Sequence, residues 1–204
     1  VDSTGRVYFG DSNGANDTFW TWKDGSGLSS LRTGLKNPGI ASTYIDSTDR
    51  MYFGEYHSST TGSFWTWKDG NGLSALISGQ GYTGYIATID SNDFIYFGEY
   101  QTGTARLWRW KTGNNMSAIV SGLTHPGLAS IKTDSTGRLY FNNWTGVNDE
   151  FWTWKDGQGL SVILSGLNQP GTYATEVDNT WGGVFFGDSN GTNDSFYYWQ
   201  PENC

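Results

Sequence analysis

The chain has 204 residues, of which 16% are charged and 17% aromatic, with 29 glycines and 11 tryptophans. That mix suits short strands joined by Gly-rich turns and argues against long helices, which draw on Ala, Leu, Glu and Lys. A formal net charge of −8 and a pI near 4.5 leave no excess of Lys and Arg to displace counterions, so neither nucleic acid nor an anionic membrane surface is an expected partner. No apolar run approaches the length of a bilayer span, so no membrane insertion is expected.

In chain order, Asp2, Asp46, Asp90, Asp134 and Asp178 stand 44 residues apart. A spacing kept through the whole chain is the mark of a repeat architecture. The block Phe19-Trp20-Thr21-Trp22-Lys23-Asp24-Gly25-Ser26-Gly27-Leu28 returns almost unchanged as Phe64 to Leu73 and Phe151 to Leu160. It returns loosely at Leu107 to Lys111 and as Phe196 to Trp199. Four strands are predicted per copy. Strand a is Gly39 to Ile45, followed by an Asp-Ser-Thr-(Gly/Asp)-Arg turn. Strand b is Arg50 to Glu55, with counterparts Arg6 to Asp11, Phe94 to Glu99, Arg138 to Asn143 and Gly183 to Asp188. Strand c is the aromatic block, whose period-two rings run into a Lys-Asp-Gly turn. Strand d is Leu73 to Ser78, ended by Gly79.

Four antiparallel strands in about 44 residues, repeated along the chain, predict an all-β, five-bladed β-propeller. Copy one lacks strand a and copy five lacks strand d, so the terminal blades are incomplete in sequence and closure by both chain ends is expected, the alternatives being four blades with a trailing overlap or a piece of a longer array whose missing strands come from another chain. The whole chain, 1–204, then forms a single domain with repeats at about 1–38, 39–83, 84–126, 127–170 and 171–204. The pattern Pro-Gly-Ile-Ala followed by Asp-Ser-Thr-x-Arg-x-Tyr-Phe-Gly-(Asp/Glu) resembles the NHL and YWTD classes of propeller repeat. The repeat count, length and near-identity resemble the five-bladed tachylectin class of lectins.

The a–b and c–d turns are nearly constant among copies, whereas the b–c and d–a loops vary, so ligands are expected on the variable face. Strand b ends on a polar group in each copy: Asp11, Glu55, Glu99, Asn143 and Asp188. Tyr56, Tyr100 or Trp144 follows in the middle three. An acceptor beside an exposed ring suits a sugar, whose hydroxyls need partners and whose C–H face packs on an aromatic surface. The competing reading has the acid bonding backbone of an adjacent blade, the role that the YWTD resemblance implies. Trp20, Trp65, Trp108 and Trp152, each the first of a pair two residues apart, join the candidate ligand-binding set, with wedge-filling between blades as the alternative. Asp11 to Asp17 and Asp188 to Asp194 alternate Asp and Asn oxygens around a Gly, but an Asn-Gly hairpin explains the same letters, and no metal is expected. His57 and His125 lie in different copies with no triad or metal-ligand spacing between them, and no catalytic residue and no cofactor are assigned.

Equivalent copies offer equivalent shallow sites, whereas an active site needs unlike groups in one cleft. The expected function is therefore a multivalent lectin, not an enzyme, acting on glycans of cell surfaces or glycoproteins. The alternatives are a propeller glycoside hydrolase with a pair of carboxylates and a secreted protein-binding or structural module. Secretion is expected, with mild support from sequons at Asn16, Asn115, Asn143, Asn190 and Asn193, and a start at Val1 fits either a processed chain or a trimmed one. Cys204, the single cysteine, has no partner within the chain and so is either a free thiol or a disulfide link to another molecule.

Overall fold

The 44-residue spacing is the spacing of a turn device. In the computed structural model Asp46 is buried, and its Oδ1 accepts the Thr48 N–H at 2.9 Å, the Thr48 hydroxyl at 2.8 Å and the Arg50 N–H at 3.0 Å. Its Oδ2 accepts the hydroxyl of Tyr52 at 2.7 Å. Asp2 and Asp134 repeat this set with Thr4, Arg6 and Tyr8 and with Thr136, Arg138 and Tyr140. Asp90 does the same with Asn92, Phe94 and Tyr96. Asx-type bonding of this kind offers the chain a reversal without a ladder. The fourth turn position is left-handed: Gly5 and Gly137 hold it at φ 79° and 76°, and Asp49 and Asp93 at 62° and 63°.

The structure describes residues 1–14, 16–39, 43–58, 61–81, 83–84, 86–100, 105–172, 174–189 and 192–201, with the side chains of 57, 58 and 80 set aside. Strand a of copy two therefore falls partly outside them, as do Asn190 and Cys204, and nothing is stated of the His57 side chain.

The described residues form five antiparallel sheets and no helix. The first comprises β1 (Val7–Gly10), β2 (Asp17–Lys23) and β3 (Gly27–Leu35). The second runs β4 (Thr43–Ile45), β5 (Met51–Ser58), β6 (Thr61–Lys68) and β7 (Gly72–Gln80). The third runs β8 (Ala87–Ile89), β9 (Ile95–Glu99), β10 (Arg106–Trp110) and β11 (Ser117–Ser121). The fourth runs β12 (Pro126–Thr133), β13 (Leu139–Asn143), β14 (Asp149–Lys155) and β15 (Gly159–Leu167). The fifth comprises β16 (Thr175–Asp178), β17 (Gly183–Asp188) and β18 (Ser195–Trp199). Each sheet is a meander in strand order, as a chain of hairpins with tight turns must be. The first lacks strand a and the last strand d, as expected from the repeats. Two compact units divide the chain: Val1–Tyr85 with Glu99–Thr102, and Ile86–Gly98 with Gly103–Cys204.

Strand d corrects the sequence expectation. It does not end at Gly79: β7 continues to Gln80, with Ser63 opposite Ser78 and Gly62 opposite Gln80. Gly79 is the extra residue of a bulge, at φ 74°, where a left-handed residue without Cβ costs least. A second shift in each strand d, between the partners of Phe64 and Trp65, of Phe19 and Trp20 and of Phe151 and Trp152, skips Leu76, Leu31 and Ile163. Leu31 and Ile163 turn onto the cores.

Inside each unit, neighbouring sheets meet through one set of rings. In the first, Phe19 of β2 stacks on Phe53 of β5 at 3.9 Å, and Tyr8 of β1 meets Trp67 of β6 at 5.6 Å. In the second, Phe151 stacks on Phe186 at 4.0 Å, while Tyr96 meets Trp154 at 6.3 Å and Tyr140 meets Trp199 at 6.0 Å. Trp67 and Trp154, each the second Trp of its pair, are thus buried wedge filling, such a ring burying on the order of 150–250 Å², whereas Trp22 at the same place in the first sheet is 42% exposed. Room for the loop entering the next sheet comes from a strand-b glycine, Gly10, Gly54 or Gly98, in the first three sheets, and Asn142 stands at that place in the fourth. A Cβ on Gly54 would lie 2.2 Å from the Gly84 carbonyl oxygen, and one on Gly10 1.7 Å from that of Pro38.

Replacing Asp46 by Ala strands two backbone N–H groups and a buried hydroxyl. We expect a loss of about 2–4 kcal/mol in chemical denaturation, against about 1 kcal/mol for Tyr52→Phe, which leaves the turn bonds in place.

Candidate functional site

Strand b delivers its polar group to the loop that enters its own sheet, and in the second sheet that group is not the strand end the sequence suggests, because β5 pairs on past Glu55 to Ser58. Oε1 of Glu55, at the inner part of β5, accepts the Lys36 N–H at 3.3 Å. Asn143 Oδ1 accepts the N–H groups of Thr124 and His125 at 3.1 and 3.0 Å. Asp188 Oδ1 accepts those of Asn168 and Gln169, both at 2.9 Å. The following residue closes the clamp from its backbone: Tyr56 N–H donates to Lys36 O, Tyr100 N–H to Gly81 O and Trp144 N–H to His125 O. A buried loop without such donors and acceptors would leave its backbone unpaired.

The second carboxylate oxygen orients the first Trp of strand c. The indole N–H of Trp20 donates to Asp11 Oδ2 at 2.9 Å, and that of Trp65 to Glu55 Oε2 at 2.8 Å. Asp11 also accepts the Thr18 N–H at 2.6 Å. In copy four the acid has moved. Asn143 carries no charge, and Glu150 on β14 supplies the carboxylate, accepting both Asn143 Nδ2 and the Trp152 indole N–H at 2.9 Å. Sequence comparison of the copies missed Glu150; its signal was an acid at the position of Ser63 in the copy whose strand b ends on an amide.

The structure thus brings together Asp11 with Trp20, Glu55 with Trp65, and Asn143 with Trp152 through Glu150. Asp188 has no such Trp, because Tyr197 stands at that place in β18. Glu55, Glu99 and Asn143 are buried, Asp11 and Asp188 half-buried. The four Trp rings, Trp20, Trp65, Trp108 and Trp152, are half-buried, as are Tyr56 and Tyr100, while Trp144 is 41% exposed. The Arg32 guanidinium lies 4.4 Å from the Trp65 ring centre, and Arg106 5.5 Å from that of Trp108. His125 lies beside Trp144, ring centres 5.3 Å apart, with Nδ1 2.6 Å from the Trp144 carbonyl oxygen. These two rings make one aromatic surface at the entrance of the fourth sheet.

The Asp/Asn-rich hairpin turns its oxygens onto its own backbone. Asp17 Oδ1 accepts the N–H groups of Asn13 and Gly14 at 2.7 and 3.2 Å, and Oδ2 that of Asn37 at 2.8 Å. Asp149 does the same with Thr145 and Gly146 at 2.7 and 2.9 Å. Among the described residues no group of three or more His, Cys, Asp or Glu is placed to hold a metal ion. Bonding from Asn37, Asn13 and Gly14 holds the Asp17 carboxyl below the usual carboxylate range.

A groove of about 490 Å³ opens at the opposite end of the fourth and fifth sheets, among the a–b and c–d turns, lined by Arg138, Lys155, Gln158, Trp181 and Trp199. No ligand was expected there. The signal was the fifth a–b turn, where Asn179-Thr180-Trp181-Gly182 replaces the Ser-Thr-Gly run and adds a residue.

No family model matches the chain, and no curated protein matches it. Solved structures do. Virginiamycin B lyase from Staphylococcus aureus aligns over 100% of this chain and 69% of its own, at a TM-score of 0.61 and 13% identity. A putative 6-phosphogluconolactonase from Bacteroides uniformis aligns over 97% and 68%, at 0.57 and 12%. A protein from Lactobacillus plantarum aligns over 92% and 62%, at 0.60 and 9%, so the chain spans less than two thirds of that one's length. At such identities the likeness shows the fold, which is β-propeller-like, and the fold alone.

Two outcomes follow from the clamp. Glu150→Ser should cost about 1–3 kcal/mol, and adding Asn143→Glu, which rebuilds the Glu55 and Ser63 arrangement, should recover most of it in a double-mutant cycle. Asp17, with its folded pKa depressed, stabilises above its unfolded value of about 3.9, and that contribution is lost as pH falls through the folded pKa. Acid titration of the melting temperature should therefore fall less steeply in Asp17→Asn.

Proposed function

We propose that this chain is a multivalent carbohydrate-binding protein that holds glycans and does not cut them. The observation that carries the reading is the use of the strand-b carboxylates. Asp11, Glu55 and Asp188 accept backbone N–H groups of turns and entering loops, and Asp11 and Glu55 also fix an indole. Acids spent in this way support rigid aromatic surfaces better than proton transfer, which needs an acid or base within reach of substrate. Half-buried rings recurring from copy to copy, and the exposed Trp144 beside His125, supply the flat apolar faces that sugars pack on. The same reading takes the five sheets as the blades of one five-bladed propeller, places the protein outside the cell among surface glycans and glycoproteins, and leaves Cys204 for a disulfide-linked partner.

A second reading is a propeller hydrolase, and the structural neighbours favour it over a lectin at the level of fold. Among them are a virginiamycin B lyase, a luciferin-regenerating enzyme, a putative 6-phosphogluconolactonase and a putative gluconolactonase.

A glycan array run beside hydrolysis assays on chromogenic glycosides and on gluconolactone separates the two. The expected result is array binding that a simple sugar inhibits, no turnover, and retention of most avidity in Trp144→Ala because other copies remain. An empty array together with lactone or glycoside turnover would replace the lectin reading with the hydrolase.

A further inference from the structure

Two of the sheet junctions share a guanidinium, an indole and a carboxylate. Between the first and second sheets, Arg6 lies 5.2 Å from the Trp67 ring centre and bonds Asp69 at 3.2 Å. Between the third and fourth, the cation comes from a different strand. Arg109 of β10 lies 5.8 Å from the Trp154 ring centre and bonds Asp156 at 3.0 Å, with its guanidinium resting on Phe94, which occupies the position of Arg6. In both, the acid stands two residues after the Trp, in the c–d turn.

The junction of the fourth and fifth sheets keeps the cation and the indole and loses the acid. Trp199 packs on Tyr140 as Trp67 packs on Tyr8, and Arg138 is the cation, but Pro201 stands two residues after Trp199. Arg138 Nη2 bonds the neutral Gln158 side chain at 2.8 Å, and Lys155 Nζ lies 3.2 Å from the Thr136 hydroxyl. Asp134, the acid that also lines the groove, is buried and its two oxygens already accept four donors. The neighbouring Asp156 is paired with Arg109. Among the described residues no carboxylate is left to pair them, and the two cations face a groove of about 490 Å³, a volume in the range of small-molecule sites. Beside them Trp181 is 69% exposed, and the Gln200 side-chain N–H bonds its carbonyl at 2.8 Å.

We infer that this groove binds a carboxylate-bearing sugar, a uronic-acid residue of an acidic glycan, whose carboxylate takes the place of the missing Asp beside Arg138 and Lys155 while its C–H face packs on Trp181. A planar guanidinium matches a carboxylate through paired N–H donors, and an anion between two cations in a partly desolvated groove gains more than at open surface. The inference rests on the carbohydrate-binding reading and gives it a substrate class at the end of the sheets opposite the loop clamps.

The test is calorimetric titration of the whole chain with tri-galacturonic acid and, as the neutral control, its methyl ester. The acid should bind at least about tenfold more tightly than the ester, and Arg138→Gln and Trp181→Ala should each weaken it by about tenfold, as loss of a charge-assisted bond or a stacking face would. Unchanged circular dichroism and melting in both variants keep the comparison on the groove. Equal binding of acid and ester, no binding of the acid, or an unchanged Arg138→Gln would overturn the inference. Neutral glycans still held on the array under those results would leave the carbohydrate-binding reading standing, whereas an array empty for every glycan would remove that reading itself.

Discussion

In the first four repeats one carboxylate couples the turn to a tyrosine of strand b. In Asp2, Asp46, Asp90 and Asp134 one oxygen gathers the N–H groups of the a–b turn and the other takes a tyrosine hydroxyl six residues on. Three of those tyrosines, Tyr8, Tyr96 and Tyr140, press against the Trp of the next sheet within the same unit. Burial, and then the adjacent carboxylate, push their hydroxyls well above the ordinary phenol range, so each remains a donor at any physiological pH. A tyrosine can bury its ring only if its oxygen is satisfied. The aspartate satisfies it while closing a turn it had to close anyway.

Where copies diverge, the interaction persists and its source moves. The guanidinium over the second Trp comes from Arg6, the residue before β1, and from Arg109 of β10, and the carboxylate under the first Trp comes from Glu55 of β5 and from Glu150 of β14. What is held constant is a charge in a place. Facing strands bring positions far apart in the alignment of the copies within a few ångströms of each other, so two different residues reach one spot. The fourth and fifth sheets show the same economy interrupted, since Pro201 removes an acid and, among the described residues, no acid on the facing strands replaces it.

The architecture was legible because its signals are local. Asp-Ser-Thr-Gly, Lys-Asp-Gly-x-Gly and the period-two rings each dictate a turn or a strand within a few residues, and repetition multiplies each signal. The bulge at Gly79, and those at Gly34 and Gly166 that interrupt the same register in β3 and β15, were not legible, since a glycine after a strand reads equally as a terminator. The candidate site was legible only as a set of residue types. Asp11 beside Trp20 and Glu55 beside Trp65 are brought together as strand pairing demands, but which oxygen faces a loop and which faces an indole depends on the path of the entering loop. Column-by-column comparison also hid Glu150 and Arg138, because their meaning lies in what stands across from them.

The repeated junctions bear on how such a chain changes over generations. Within each unit sheet meets sheet through the same few ring positions, so unequal crossing-over that gains or loses one repeat's worth of coding sequence there creates a boundary whose two sides already match. Copy number can then drift without a phase of poor packing, while isolated substitutions such as the proline after Trp199 individualise single units. Ancestry by duplication and specialisation by point change can thus proceed independently in one gene.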